Sequence, residues 1–352
     1  MSRSVELFVP GRLCLFGEHS DWAGGWRRVR PELAPGACLV AGTDQGVRGE
    51  AEASDAFEIH SVLASGETIG PLRIAAQPEA LAEAARGADF FSYAAGVAAE
   101  MVERHGLGGL RLRVAGDLPV QRGLSSSAAI CVLVARAFAS VYGLRLSARD
   151  EMELAYAGER RTGSECGRMD QVCAFGRRVT SLHFDADRFE VEPLEIGAAL
   201  HLLIVDLRRG KDTRRILADL NACFPDAPGS LAAGVRDALG PANARLVGQA
   251  REALEAGDPP ALGALMLEAQ ALFDAQVAPA SPAELAAPRL HAVLAHPALR
   301  ELAYGAKGVG SQGDGCAQIV TRGPEQRTRL AAVLERDLDV RSWPLTPGAA
   351  RV

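Results

Sequence analysis

Residues 109–142 constrain the fold more than any other stretch of this chain. "GLRLRVAGDLP" alternates apolar and polar residues, as a strand with one buried face does, and closes on a Gly-Asp-Leu-Pro turn. "GLSSSAAICVLV", residues 123–134, then sets a glycine and three serines directly before an apolar run that continues through "ARAFASVYG". That run reads as a helix of about four turns. It is apolar nearly all round, so other elements must enclose it. A strand, a loop of small residues and a buried helix in succession commit this part of the chain to a mixed α/β core.

The remaining segments continue the pattern. "VELFVPGRLCLFG" predicts two short strands broken at Pro10-Gly11, and "ACLVAGTDQGVRGEAEA" a strand, a turn and an alternating continuation. "PEALAEAARGADFFSYAAGVAAEMVERHG" predicts two helices or one broken helix, stopped by Gly106, and "SARDEMELAYAGERRTG" a further helix with Ser147 as N-cap. A second half begins near residue 195. There "ALHLLIVDLRRGKDT" is a buried strand running into a polar loop, and residues 214–302 are mostly helical. "AQIVTRG", "RTRLAAVLERD" and "DVRSWPLTP" then predict strand, helix and strand. With no low-complexity linker and no internal repeat, the expectation is two domains, 1–195 and 196–352.

Composition removes several classes of function. The 352 residues are 48% hydrophobic and 23% charged, enough to build proper cores. The net charge is −6, and no block of lysines or arginines is interleaved with aromatics, so no nucleic-acid partner is expected. No apolar stretch approaches a membrane span and the first residues lack an apolar signal segment, so the expectation is a cytoplasmic protein without a membrane partner. The seven cysteines are scattered without a C-x-x-C pair, which suits small core residues better than disulfides or a zinc cluster.

Three glycine-rich places hold candidate chemistry. A helix N-terminus exposes backbone N–H groups and a positive dipole end that attract phosphate, while serine hydroxyls bond phosphate oxygens or ligate magnesium. "GLSSSA" therefore reads either as such a site or as a serine-rich cap on a core helix. A Walker A loop is absent from the sequence. "PGRLCLFGEHSDWAGG" gathers Arg12, Glu18, His19 and Asp21 on a turn after an apolar strand, a mixture of donors and acceptors suited to a polyol or simply to a solvated loop. "GAKGVGSQGDGCAQIV" carries five glycines in eleven residues before a strand, as a ligand loop or a plain hairpin would.

Together these segments resemble the GHMP kinase superfamily, and within it the galactokinase-like sugar kinases. "PGRLCLFGEHSDW" is similar to the galactokinase P-G-R-x-x-x-x-G-E-H-x-D-Y motif. "PVQRGLSSSA" is similar to the family's phosphate loop, and "CGRMDQ" to its C-G-x-M-D-Q signature. The resemblance spans roughly residues 8 to 320 and lies in these motifs rather than in continuous similarity. It implies a ribosomal-protein-like N-terminal α/β domain and a ferredoxin-like C-terminal one. It further implies an ATP- and magnesium-dependent kinase acting on a hydroxyl of a small sugar, the anomeric one foremost. The superfamily also phosphorylates mevalonate, homoserine, inositols and heptose phosphates, so an inositol, a uronic acid or a heptose phosphate is the alternative substrate here, and some galactokinase relatives are sugar-dependent regulators without catalysis.

The resemblance also implies roles. Asp170 would orient or accept the proton of the attacking hydroxyl, and Arg12 would support it. Glu18, His19 and Asp21 would bind sugar hydroxyls, with Trp22 in place of the usual tyrosine and Lys211 and Asp212 as secondary contacts. Gly123, Leu124, Ser125, Ser126, Ser127 and Ala128 would wrap the triphosphate. Ser127 would begin the magnesium site. The family's second magnesium ligand, a glutamate twelve residues before the catalytic aspartate, falls on Gly158 here, with Glu159 next door. Three departures concern the substrate. Arg27, Arg28 and Arg30 could meet an anionic group, Ser311 and Gln312 are unusual in the last loop, and Asp314 there could repel phosphate or bond a sugar.

Overall fold

The computed structural model describes residues 4–62, 66–87, 91–118, 124–164 and 166–347. The chain begins with β1 (Val5–Phe16), α1 (Ser20–Gly25), β2 (Gly36–Ser54), β3 (Ala56–Val62) and β4 (Thr68–Ala75). Then come α2 (Pro78–Ala85), α3 (Ser92–His105), β5 (Gly109–Gly116), α4 (Ser126–Tyr142) and α5 (Ala148–Arg160). A 3-10 turn at Asp170–Phe175 precedes β6 (Val179–Asp185), β7 (Arg188–Leu194) and β8 (Leu202–Asp206). A helical stretch follows: α6 (Thr213–Asn221), α7 (Ser230–Leu239), α8 (Pro241–Ala256), α9 (Pro259–Gln276), α10 (Pro282–Leu285), α11 (Pro288–Leu294) and α12 (Ala298–Leu302). The last elements are β9 (Ala303–Gly308), β10 (Cys316–Thr321), α13 (Pro324–Leu338) and β11 (Arg341–Leu345).

Two sequence expectations change. Pro10-Gly11 does not break β1, which runs through both residues as one strand. Glycine is needed at position 11 because a Cβ there would lie 2.7 Å from the Leu124 carbonyl and 2.8 Å from Thr43 Oγ1. β2 is likewise a single strand of 19 residues without an intervening turn. The strands β6, β7 and β9 are additional to those expected from the sequence.

The described residues form two compact units, one within Met1–Arg12, Gly42–Val120 and Leu124–Arg177, the other within Leu13–Ala41, Gln121–Gly123 and Arg178–Val352. In the first, β3 pairs antiparallel with β4 and parallel with β5, and β5 pairs antiparallel with β2. α4 is its central helix. Cys131, Val132, Leu133, Val134, Ala135 and Phe138 are all fully buried, and each large apolar side chain among them contributes about 1.5–3 kcal/mol by leaving water. Phe138 stacks against Phe57 at 6.3 Å and against Tyr142 at 6.1 Å. α3 ends on Gly106, whose left-handed backbone (φ 63°) terminates the helix. α5 starts with a capping box of Ser147 and Asp150.

The second unit holds an antiparallel sheet in the order β11-β8-β10-β9. β8 and β10 are buried throughout, so their apolar runs need no alternation. One core cluster joins this sheet to α11 and α13 through Leu203, Val205, Leu290, Ile319, Leu330 and Leu334. Another joins Ala23 of α1 to α6, α7 and α9 through Ile216, Leu220, Val235 and Phe273. All seven cysteines are free thiols, and all but Cys166 are buried.

Candidate active site

In the first unit, four elements converge on a small polar cluster. β1 carries Arg12, whose backbone N–H donates to the Leu124 carbonyl at 3.1 Å and so joins the strand to the start of α4. The Arg12 guanidinium, buried, donates from Nε to Asp170 Oδ1 at 3.1 Å and also from Nη2 to the same oxygen. Asp170 opens the 3-10 turn with its side chain about 30% exposed, within reach of an arriving hydroxyl. Arg136 of α4 fixes that turn from behind. It donates to the Ala174 carbonyl at 2.9 Å, to the Phe8 carbonyl at 3.1 Å and to Glu151 Oε2 at 2.6 Å.

Ser127 and Glu159 complete the cluster. Ser127 Oγ donates to Glu159 Oε1 at 3.4 Å, and Gln171 Nε2 donates to Glu159 Oε2 at 2.7 Å. Burial, and secondly the like charge of Asp170, push the Glu159 carboxyl up to about 7 from an ordinary value near 4.5. Gly158 cannot carry a ligand. A Cβ there would lie 2.5 Å from Val97 Cα, because α3 and α5 cross closely at Gly96 and Gly158. The carboxylate facing Ser127 is therefore Glu159, eleven residues before Asp170. Two hard oxygens, one on a buried carboxylate already burdened by a like charge, form a donor set that suits a small divalent cation. Among the described residues, no group of three or more histidines, cysteines, aspartates or glutamates could hold a metal alone. Any cation here would draw its other ligands from a bound phosphate or from water.

The serines at the start of α4 make no side-chain cap. Ser125 occupies the N-cap position in a left-handed conformation (φ 54°). Its Oγ is buried without a hydrogen-bond partner among the described residues. Ser126, Ser127 and Ala128 form the first turn, so their N–H groups are not spent on a serine cap. That is the state an anion site needs. Gly123 lies outside the described residues.

The second unit assembles the residues of the turn after β1. Glu18, nearly buried, accepts from Lys307 Nζ of β9, and Lys307 is 1% exposed. His19 begins α1 with a left-handed backbone (φ 68°). Its Nδ1 accepts from Trp22 Nε1 at 3.2 Å. Burial, and then the charge of Lys211, lower the His19 imidazole to about 4, so the ring is neutral. Asp21 lies in the first turn of α1, half-buried. Trp22 packs edge-on against Phe224 at 5.3 Å. A cavity of about 40 Å³ borders Glu18, Lys307, Gln312, Asn243 and Phe273, room for a few waters and far less than a monosaccharide.

The secondary candidates divide. Lys211 Nζ donates to the Val309 carbonyl at 3.3 Å and to the Gln312 carbonyl, which places it against the β9–β10 loop and beside His19. Asp212 caps α6 by accepting from the N–H groups of Arg214 at 3.0 Å and Arg215 at 3.1 Å. Asp314 similarly accepts from the N–H groups of Arg289 and Leu290 at the start of α11. Arg27, Arg28 and Arg30 pair with Asp185, Asp187 and Asp226 respectively. Sequence reading gave no role to Gln171, Lys307 or Arg136. Gln171 carried a signal, its place beside Asp170 in "CGRMDQ", as did Lys307, its place in the glycine-rich "GAKGVG".

Residues 92–177, which hold Ser127, Glu159 and Asp170, match the family described as GHMP kinases N terminal domain. Over these residues the chain is similar to that family. It is 28% identical over 204 residues to a galactokinase of Thermococcus kodakarensis, a match covering 57% of this chain and 52% of that protein. The match thus spans about half the length of this curated relative. The whole fold is similar to those of solved galactokinase and mevalonate kinase structures. A Lactococcus lactis galactokinase crystallised with galactose superposes with a TM-score of 0.73 over 99% of this chain and 94% of that one, at 18% identity. The Methanococcus jannaschii mevalonate kinase does so at 0.71 over 97% and 98%, at 17% identity. No described helix is long and apolar enough to cross a membrane.

Proposed function

We propose that this GHMP-fold protein is an ATP-dependent kinase that transfers the γ-phosphoryl group to a hydroxyl of a small sugar or related polyol, the anomeric hydroxyl foremost. The observation that carries the reading is the convergence of the Arg12–Asp170 pair and the Ser127–Glu159 pair at the uncapped N-terminus of α4. Phosphoryl transfer depends on positioning and charge more than on covalent chemistry, and these groups supply both. Asp170 accepts the proton of the attacking hydroxyl as the oxygen–phosphorus bond forms. Arg12 keeps that carboxylate in place and adds positive charge near the transferring group. The N–H groups of Ser126, Ser127 and Ala128 receive phosphate oxygens. Magnesium, held by Ser127 and Glu159, would neutralise charge on the triphosphate.

Glu18, His19 and Asp21 are proposed to bind substrate hydroxyls, with Trp22 and Lys211 beside them. Asp212 is spent as a helix cap, so we leave it out of this set. The carboxylate partners of Arg27, Arg28 and Arg30 favour a neutral polyol over a uronate or sugar phosphate. Retention of Arg12, Ser127 and Asp170, with Glu159 facing Ser127, favours an enzyme over a sugar-dependent regulator. A coupled ADP-release screen over hexoses, pentoses, deoxysugars, uronic acids, inositols and sugar phosphates tests the proposal. One neutral sugar should turn over with magnesium and ATP, and Asp170→Asn should lower that rate at least about a hundredfold while nucleotide still binds. No turnover across the panel, or an unchanged rate in the variant, overturns the reading.

A further inference from the structure

We propose that Trp22 sets the tautomer of His19, so that the imidazole presents Nε2–H as an uncharged donor to an oxygen of the substrate. The proposal rests on the reading of His19 as a substrate contact and adds which nitrogen acts, in which state, and what holds it there. An indole N–H is a donor only. Trp22 Nε1 points at His19 Nδ1 at 3.2 Å, so Nδ1 must be the acceptor and the ring proton must sit on Nε2. Nε2 is buried and makes no hydrogen bond of good geometry among the described residues, while the Ser311 backbone lies close enough to the ring to favour its protonated form. Buried donors are rarely left unpaired, so a ligand oxygen is the natural recipient.

The ring is held from several sides. Phe273 of α9 stacks on it at 6.3 Å with planes 22° apart, and the Trp22 indole meets it edge-on at 6.0 Å and 72°. Phe224 in turn buttresses Trp22. The charged groups around it are Lys211, Lys307 and Glu18, and Glu18 is paired with Lys307. Both ammonium groups oppose an imidazolium, which keeps the ring neutral and Nε2–H its single donor. The left-handed backbone at His19 fits a residue held for its position, since a non-glycine residue adopts φ 68° at a cost.

The chemical consequence concerns selectivity. A neutral N–H donates to a hydroxyl or ring oxygen and rejects a group that has no lone pair to offer, such as a protonated amine. A sugar that carries an ammonium in place of the hydroxyl facing His19 would leave Nε2–H unpaired against another donor.

The test uses the full chain labelled with ¹⁵N-histidine and multiple-bond ¹H–¹⁵N correlation near neutral pH. His19→Asn, which tolerates a left-handed backbone, identifies the signal by its loss. The wild type should show a protonated Nε2 and an unprotonated Nδ1. Trp22→Phe, which keeps a ring but removes the N–H, should show both tautomers. For the sugar found in the ADP-release screen it should also raise KM about tenfold with kcat changed less than about twofold. A proton on Nδ1 in the wild type, as would follow if the Ser311 carbonyl took it, overturns the proposal, as does an unchanged tautomer in Trp22→Phe. The wild-type spectrum decides the question even if the variant fails to fold. Failure of the screen alone would count against the kinase reading and leave the tautomer result standing.

Discussion

Glu159→Gln tests the candidate metal site at its most exposed assumption, that a carboxylate is buried there beside a second one. Burial and then Asp170 raise Glu159 from near 4.5 to about 7. Between those values the native protein holds a proton that the unfolded chain has released, so stability falls as pH rises through that window. At roughly 1.4 kcal/mol per pH unit over the interval, the ionised native state at pH 8 is about 3 kcal/mol less stable than the same fold with a neutral group at this position. Glutamine is that neutral group, and its amide oxygen still accepts from Gln171 Nε2. Thermal unfolding of the full chain with chelator present should give nearly equal midpoints for wild type and variant at pH 5. At pH 8 the variant should melt several degrees higher. Adding magnesium together with nucleotide should reverse the order, because the cation relieves the charge only where a carboxylate is present. Parallel pH profiles for the two proteins would show that Glu159 ionises freely, and the argument for a cation between it and Ser127 would fall with that result.

Other perturbations read different links. Asp170→Asn removes the like charge beside Glu159, so the pH at which wild-type stability declines should move down, and a fixed midpoint would mean the two carboxylates do not feel each other. Ser127→Ala should raise the magnesium concentration needed for half-maximal ADP release about tenfold, and an identical metal titration would remove Ser127 from the site. Gly158→Ala forces a methyl group to within 2.5 Å of Val97 Cα and should cost about 1–3 kcal/mol in urea unfolding, whereas an unchanged midpoint would show that α3 and α5 part easily.

Much of this was legible before any coordinates. The alternation of β5, the all-round apolar character of α4, the Ser147 cap and the Gly106 stop are local signals, set by pattern and backbone preference, and they fall where the sequence places them. The serine loop before α4 also pointed to phosphate chemistry by residue type, and the segments around Arg12 and Asp170 did so through their resemblance to a kinase family. Tertiary structure decided the rest. Whether Pro10-Gly11 ends a strand depends on the neighbour that approaches Gly11, and whether Asp212 and Asp314 meet a ligand depends on which helix ends need capping. Gly158 and Glu159 differ by one step along α5. The crossing of α3 excludes any side chain at the first, and the start of α4 gives the second a serine to face. Asp170, which helps raise the Glu159 carboxyl, lies 11 residues from it in sequence, and Phe273, which stacks on the His19 ring, lies 254 residues from that histidine. Protonation state follows from burial and neighbouring charge, and those exist only once the chain has folded.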